Sequence, residues 1–139
     1  MNIQLVDTEL AATLEKFPEL DIWTDLVKTR EMGAQMRAKM VGDLPQIEGI
    51  ESEDYWLQQA NGPEVWVRVY RPEDQLEPLP ALLWIHGGGY CLGSMEADDH
   101  VVRQMALEVN SVIISVDYRL APEHPFPAAL NDASTALQW

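Results

Sequence analysis

Two short, almost continuously apolar runs constrain the fold of this 139-residue chain more than any other feature. They are residues 81–85 (ALLWI) and 111–116 (SVIISV). A strand that is apolar along its whole length is typical of a parallel sheet covered on both faces. Residues 96–110 between them have helical periodicity, and the inward stripe is predicted to contain Val101, Val102, Met105, Ala106 and Val109. Strand, helix and strand in this order predict a right-handed βαβ unit and an α/β fold.

The N-terminal segment predicts helices of a different kind. Residues 7–40 have two stretches of helical periodicity, the first capped by Asp7 or Thr8 and broken at Pro18. A linker rich in glycine and proline follows, with Gly42, Pro45 and Gly49. We therefore expect a helical part over residues 1–45 and an α/β part over residues 46–139.

The α/β part begins and ends with recognisable elements. Residues 65–70 (VWVRVY) alternate apolar and polar side chains, and residues 55–57 (YWL) are rich in strand formers. Asn61-Gly62-Pro63 lies between them and predicts an antiparallel hairpin. Pro127 is suited to the first turn of a last helix, which we expect over residues 127–139.

Charge and cysteine content exclude several function classes. The chain has 9 basic and 23 acidic residues, a formal net charge of -14, and both halves are acidic. Neither half is suited to bind nucleic acid or an anionic membrane. A single cysteine, Cys91, excludes an internal disulfide and favours a reducing compartment. Without an apparent signal peptide or a bilayer-length apolar run, we expect a cytoplasmic protein.

The segment His86-Gly87-Gly88-Gly89 carries the clearest chemical signal. It follows the first apolar run directly, and ligand sites of open α/β sheets lie at the carboxyl ends of strands. Three glycines allow positive φ angles and let backbone N–H groups approach a ligand closely. Such N–H groups can form an oxyanion hole, although a tight turn without a ligand would have the same sequence.

Two longer segments resemble one enzyme family. Residues 86–94 (HGGGYCLGS) and 116–129 (VDYRLAPEHPFPAA), with VRVYRP at 67–72, look like the hormone-sensitive-lipase-like carboxylesterases of the α/β-hydrolase fold. The resemblance is strong over residues 50–139 and looser over the N-terminal helices, which resemble the cap of that family. It implies a small-molecule ester substrate, possible homo-oligomers and neither a cofactor nor a metal.

The resemblance also implies roles for individual residues. Gly88 and Gly89 would donate the oxyanion-hole N–H groups, and His86 would hold the turn without being the catalytic histidine. Asp117 and Arg119 would pair to fix a structural loop. The strand at 81–86 would lie beside the strand that leads to the nucleophile.

The catalytic triad of that family is not found in these residues. The family uses a serine in a G-x-S-x-G elbow, then an acid and a histidine, all later in the chain. None of the serines here stands between two glycines at that spacing; they are Ser52, Ser94, Ser111, Ser115 and Ser134. Such esterases have about 300 residues, so the chain is expected to be an N-terminal portion of one that carries the oxyanion turn without the triad.

Cys91 provides a rival interpretation. Gly89-Tyr90-Cys91-Leu92-Gly93 matches a G-x-C-x-G elbow, the cysteine version found in dienelactone-hydrolase-like enzymes. Such a thiol needs a basic partner, for which His100 or His124 is available, oriented by Asp98, Asp99 or Asp117. Against this reading, an elbow should follow its strand at once, and here the HGGG turn intervenes.

Two other patterns have both a functional and a structural reading. Asp98-Asp99-His100 could form an acid/base or metal site, but Glu96, Asp98 and Asp99 could equally complement the positive end of the 96–110 helix. Met32, Met36 and Met40 recur every four residues, as packing residues or as the lining of an adaptable acyl pocket. The sequence thus predicts an esterase portion for short- to medium-chain acyl esters. The alternatives are a non-catalytic remnant or binding module and a Cys91-dependent hydrolase.

Overall fold

The computed structural model describes residues 6–14, 24–41, 44–75 and 77–139. The elements in chain order are α1 (Thr8–Leu14), α2 (Leu26–Val41), β1 (Ile50–Leu57), β2 (Val65–Pro72), β3 (Ala81–Ile85), α3 (Met95–Glu108), β4 (Val112–Asp117) and α4 (Ala128–Gln138). Asp7 caps α1, since its Oδ1 accepts from the Glu9 N–H at 3.0 Å. The predicted break at Pro18 and the linker position Gly42 lie outside the described residues.

Four strands form one mixed sheet in the order β1-β2-β4-β3. The predicted hairpin is confirmed: β1 and β2 pair antiparallel, with Leu57 opposite Val65. β2 and β4 are also antiparallel, whereas β3 and β4 are parallel. With α3 connecting β3 to β4, the predicted βαβ unit and the α/β fold class are confirmed.

A helix covers each face of the sheet. On one face α3 packs in a buried cluster of Ile50, Tyr70, Val102, Ala106 and Ile113. On the other face α4 packs in a cluster of Leu57, Val65, Val67, Val116, Tyr118 and Ala136. β4 lies between both clusters and is the buried centre of the fold, as its apolar run predicts.

Two details of the sequence prediction were wrong. Val101 and Val109 are 51% and 56% exposed, because α3 turns about 100° per residue and ends at Glu108; of the five predicted residues, Val102 and Ala106 are fully buried. β3 is not buried on both faces: Leu82 is 38% and Ile85 is 48% exposed. The reason is its place in the sheet, since among the described residues β3 pairs only with β4.

None of the helices within the described ranges combines the length and the apolar content that crossing a bilayer requires.

Candidate functional site

The turn that follows β3 leaves backbone donors without a partner among the described residues, and the N–H groups of Gly88 and Gly89 are among them. The Gly88 carbonyl oxygen accepts hydrogen bonds from the N–H groups of Cys91 at 3.2 Å and Leu92 at 2.9 Å. The N–H groups of Gly88 and Gly89 have no hydrogen-bond partner among the residues that the structure describes, and both glycines are exposed. A turn that folds its carbonyl inward and leaves successive amides outward is suited to hold an anionic oxygen.

Close backbone contacts explain why this turn needs glycine. A Cβ on Gly88 would lie 2.1 Å from the Leu92 carbonyl oxygen. A Cβ on Gly93 would lie 2.3 Å from the Gly87 oxygen and 2.6 Å from Nδ1 of His86. Gly88, Gly89 and Gly93 also have positive φ angles of 127°, 60° and 87°. The sequence analysis singled out the HGGG run but missed Gly93, which closes the same turn.

The side chain of His86 contacts the backbone of the turn. Its side chain is buried, and Nδ1 lies 2.9 Å from the Gly87 carbonyl oxygen, a contact that requires a proton on Nδ1. The imidazole stacks on the ring of Tyr118, whose hydroxyl donates to the His86 carbonyl oxygen at 2.7 Å. Burial raises the pKa of Tyr118 to about 12, so this donor keeps its proton. This geometry suits the structural role that the resemblance implies for His86.

Arg119 and Asp117 do not pair with each other, contrary to the prediction. Arg119 binds Asp132 on α4 in a bidentate pair, Nε to Oδ2 at 2.9 Å and Nη2 to Oδ1 at 2.8 Å. Asp117 instead accepts from the Met95 N–H at the start of α3. The two side chains reach helices on opposite faces of the sheet, which the sequence order of Asp117 and Arg119 does not reveal.

The pKa values of Asp132 and Asp117 are shifted in opposite directions. Burial disfavours the charged form of Asp132, but hydrogen bonds from Arg119 and Gln59 outweigh burial and lower its pKa. Burial is the dominant influence on Asp117 and raises the pKa of that carboxyl above its usual range. Asp132, which the sequence analysis did not single out, is therefore a charged anchor of the loop after β4.

The cysteine alternative finds little support in the geometry. Cys91 lies inside the turn, and its Sγ contacts the Gly88 carbonyl oxygen at 3.5 Å. In the part of the chain that the structure describes, neither His100 nor His124 makes a hydrogen bond to the thiol. The N–H of His124 donates to the Leu120 carbonyl oxygen. Within the described ranges, the thiol therefore has no hydrogen bond to the basic partner that a cysteine nucleophile needs.

The acidic residues at the start of α3 have structural partners. Asp98 accepts from Trp84 Nε1 at 2.9 Å, and Asp99 accepts from the Tyr70 hydroxyl at 2.8 Å and from Arg103 Nε at 2.7 Å. Burial opposes ionisation of Asp99, but the hydrogen bonds from its partners outweigh it and lower its pKa. No group of three or more acidic, histidine or cysteine residues in the described ranges is arranged to hold a metal ion.

Helix α2 is attached to the turn by an arginine that the sequence analysis missed. Arg30 donates from Nε to the Cys91 carbonyl oxygen at 2.8 Å and from Nη1 to Glu123 at 2.7 Å, and Nη2 contacts the Ala121 carbonyl oxygen. Arg37, two turns further, donates to the Ala97 carbonyl oxygen on α3. No sequence signal indicates these contacts, because Arg30 is separated from the residues it binds by 61 to 93 positions.

A groove lies between α2 and the turn. Its volume is about 790 Å³. Met32 and Met36 line it on the α2 side, and Leu92, Gly93 and Ser94 line it on the side of the turn. Two of the three methionines of the predicted stripe thus reach the groove, and the side chain of Met40 lies outside the described part. Arg30, Arg37 and Glu96 also line the groove, and it reaches the turn at Leu92 and Gly93 rather than at Gly88 or Gly89.

Known proteins are similar to this chain in sequence and in structure. A family model described as alpha/beta hydrolase fold matches residues 82–139. The carboxylesterase NlhH of Mycobacterium tuberculosis is 45% identical over 76 residues, which are 55% of this chain and 24% of that protein. The relationship predicted from the HGGG and DYRLAPE segments is therefore confirmed.

Solved structures extend the likeness to nearly the whole chain. A bacterial heroin esterase aligns with a TM-score of 0.85 and 35% identity, covering 99% of this chain and 43% of that one. An esterase of Pyrobaculum calidifontis aligns with a TM-score of 0.78 and 40% identity, covering 96% and 42%. The chain thus spans 24% of the length of the curated relative and 43% and 42% of these two solved chains.

Proposed function

We propose, from the premise that this chain has the α/β-hydrolase fold, that it supplies the oxyanion-binding part of a carboxylic ester hydrolase. One observation carries the proposal: the N–H groups of Gly88 and Gly89 have no partner among the described residues and lie in an exposed turn at the carboxyl end of β3. Those two amides would bind the negatively charged oxygen that forms when a nucleophile attacks the ester carbonyl.

The reaction would be acyl transfer to a serine and then to water. These residues hold no serine suited to that role. Ser94 caps α3, since its Oγ accepts from the Ala97 N–H, and Ser111 and Ser115 are buried next to or within β4. We therefore propose that the serine, the acid and the catalytic histidine are supplied by sequence outside these 139 residues. The greater length of the relatives supports this proposal.

The substrate class follows from the groove beside the turn. Met32, Met36 and Leu92 present apolar surface within about 790 Å³, and methionine side chains adapt to chains of different shape. We propose short- to medium-chain acyl esters as substrates. The names of the relatives, a carboxylesterase and two esterases, support an ester substrate.

The first experiment measures hydrolysis of p-nitrophenyl butyrate by this chain and by the longest product of its reading frame. The proposal predicts no turnover for the 139 residues alone and turnover, blocked by serine-directed phosphonates, for a product that contains a G-x-S-x-G segment. Turnover by the 139 residues that is abolished in Cys91→Ala would instead support the cysteine hydrolase. Absence of turnover in every product would favour the non-catalytic remnant.

The second experiment tests the amide of Gly89 directly in the active product. Glycolic acid in place of Gly89 replaces its N–H with an ester oxygen; it also makes the Gly88 carbonyl a weaker acceptor for the Cys91 and Leu92 N–H groups. Loss of one oxyanion donor should lower kcat about 100-fold to 1,000-fold. The same replacement at Gly87, which we do not assign to the site, is the matched control, and an equal loss there would contradict the assignment.

A further inference from the structure

The hydrogen bonds inside the turn converge on a single oxygen. The Gly88 carbonyl oxygen accepts from Leu92 N–H at 2.9 Å and from Cys91 N–H at 3.2 Å. That carbonyl and the Gly89 N–H belong to the same peptide group. Hydrogen bonds along a chain of peptide groups polarise one another, so donation to the Gly88 oxygen makes the Gly89 N–H a stronger donor.

Both backbone groups that donate to the Gly88 oxygen are polarised in turn, and the Cys91 thiol, at 3.5 Å, is a third and weaker donor. The Leu92 N–H shares a peptide group with the Cys91 carbonyl, which accepts from Arg30 Nε at 2.8 Å. The Cys91 N–H shares a peptide group with the Tyr90 carbonyl, which accepts from Ala121 N–H at 2.8 Å. Two chains of hydrogen bonds therefore end at the Gly88–Gly89 peptide, and its N–H is left without a partner in the described structure.

Arg30 is the charged member of this arrangement. Its guanidinium is a cationic donor, and its side chain is about one quarter exposed. A hydrogen bond from a charged donor is roughly twice as strong as a neutral one. The Arg30–Cys91 hydrogen bond is therefore the strongest source of polarisation in either series of hydrogen bonds. The carboxylate of Glu123, which binds the same guanidinium, weakens this effect.

We propose that Arg30 is a positioning residue that acts through two peptide groups to strengthen the Gly89 N–H as an oxyanion donor. The inference rests on the proposed function, since it assigns a source of strength to one of its two donors. Arg30 lies on the same helix as Met32 and Met36, which line the groove. The packing of α2, the shape of the groove and the strength of the donor therefore depend on the same helix.

Three substitutions separate charge from attachment. Arg30→Gln places its amide nitrogen where Arg30 Nε lies, so the bond to the Cys91 carbonyl is retained without the charge. Arg30→Lys retains the charge. Arg37→Gln is the matched control, because Arg37 also joins α2 to a backbone carbonyl, that of Ala97, but not to the turn.

The NMR signal of the Gly89 amide proton reports the polarisation of this N–H directly and requires no enzymatic activity. The longest product of the reading frame, labelled with ¹⁵N at glycine, is compared with each variant by NMR, because the 139-residue chain alone is expected to associate. We expect Arg30→Gln to move the Gly89 amide proton upfield, Arg30→Lys to move it less and Arg37→Gln to leave it in place. An unmoved Gly89 signal in Arg30→Gln, or an equal shift in Arg37→Gln, would overturn the inference.

Glu123→Gln keeps the test decisive even where the Arg30 variants fail to fold. Glu123 lies on the exposed side of the pair, so its replacement leaves the fold in place. Removing this carboxylate frees the guanidinium charge to act on the turn. The Gly89 amide proton should then move downfield, opposite to the Arg30→Gln shift, and an upfield movement would overturn the inference.

Kinetics of an ester-hydrolysing product that contains this chain provide the second readout. Arg30→Gln should lower kcat roughly tenfold and change KM less than about twofold, since the charge acts on the developing oxyanion rather than on the bound ester. Arg30→Lys should recover most of kcat. Equal kcat values for Arg30→Gln and Arg30→Lys would show that Arg30 only attaches α2 to the turn, and would overturn the inference. If the unmodified product hydrolyses no ester, the proposed function fails, and the Gly89 signal still decides the role of Arg30.

Discussion

Tyr118 contacts His86 in two ways at once. The two rings are stacked with their centroids 4.1 Å apart, and the Tyr118 hydroxyl donates to the His86 carbonyl oxygen at 2.7 Å. The first residue of the glycine turn is thereby held by a residue that follows β4. The HGGG segment and the DYRLAPE segment are thus two halves of one structure, joined across parallel strands.

Removal of that hydroxyl should destabilise the protein. Tyr118→Phe leaves the ring stack but leaves a buried carbonyl oxygen without its donor, which costs about 1–3 kcal/mol. Urea denaturation followed by tryptophan fluorescence measures the loss. Tyr90→Phe, which removes an exposed hydroxyl, is the control and should leave the midpoint unchanged. Equal midpoints for Tyr118→Phe and the unmodified protein would contradict the role given to this bond.

Glycine substitutions should rank by the space around each position. Gly93→Ala places a methyl group against the Gly87 oxygen and the His86 ring and should cost about 2–4 kcal/mol of unfolding free energy. Gly89→Ala meets nothing closer than 4.0 Å and should cost about 1–2 kcal/mol, the price of a left-handed backbone. Denaturant titration of both variants checks the ranking, and a reversed order would show that the turn is not packed as described.

The Arg119–Asp132 pair should give a pH-dependent contribution to stability. The folded state lowers the pKa of Asp132, so its stabilisation is present above the unfolded-state pKa and is lost as pH falls through the folded-state pKa. Asp132→Asn should lower the unfolding free energy by about 2–4 kcal/mol near pH 7, since it leaves Arg119 unpaired. The difference should shrink in acid.

Thermal melts across the acidic range measure that difference, and Glu123→Gln is the control. Glu123 also pairs with an arginine, but its side chain is 45% exposed, whereas Asp132 is 1% exposed. The control should therefore shift the melting temperature little. An equal shift in the two variants would contradict the special role of the buried carboxylate.

Asp117 should behave in the opposite sense. Burial raises its folded-state pKa, so ionisation costs stability as pH rises above the unfolded-state pKa. Asp117→Asn keeps an oxygen that can accept from the Met95 N–H and removes the buried charge. We expect the variant to unfold at a higher urea concentration than the unmodified protein near pH 7, with the gain vanishing in acid. A loss of stability near pH 7 would show that the charge itself is needed at the start of α3.

The exposed edge of β3 should make the 139-residue chain associate. Leu82 and Ile85 present apolar side chains on a strand that pairs only with β4 among the described residues. Light scattering after size exclusion should show association that increases with concentration, reduced in Leu82→Lys. Leu137→Lys makes the same charge change on exposed surface of α4 and should have no such effect. A cooperative melt that is independent of concentration, from a monomer, would contradict this expectation.

Local patterns were enough to predict the hairpin, the βαβ unit and the position of the glycine turn. Each depends on residues close in sequence: alternation over 65–70, a continuous apolar run over 111–116, and three glycines directly after a strand. Local patterns failed where the burial of a residue depended on where its element ends or on which elements lie beside it. Val109 has the right spacing for the core but follows the end of α3, and β3 has a core-like composition but lies at the edge of the sheet.

What the sequence by itself determined is the place of the glycine turn, since three glycines directly after the apolar run of β3 allow the positive φ angles found at Gly88 and Gly89, whose amides are exposed. Only the tertiary structure decided what supports those amides. Arg119 binds Asp132 rather than Asp117, and Arg30 binds the carbonyl of a residue 61 positions away. A side chain selects its partner by distance and by the acceptors that other elements bring to it, and those are set only when the helices pack on the two faces of the sheet.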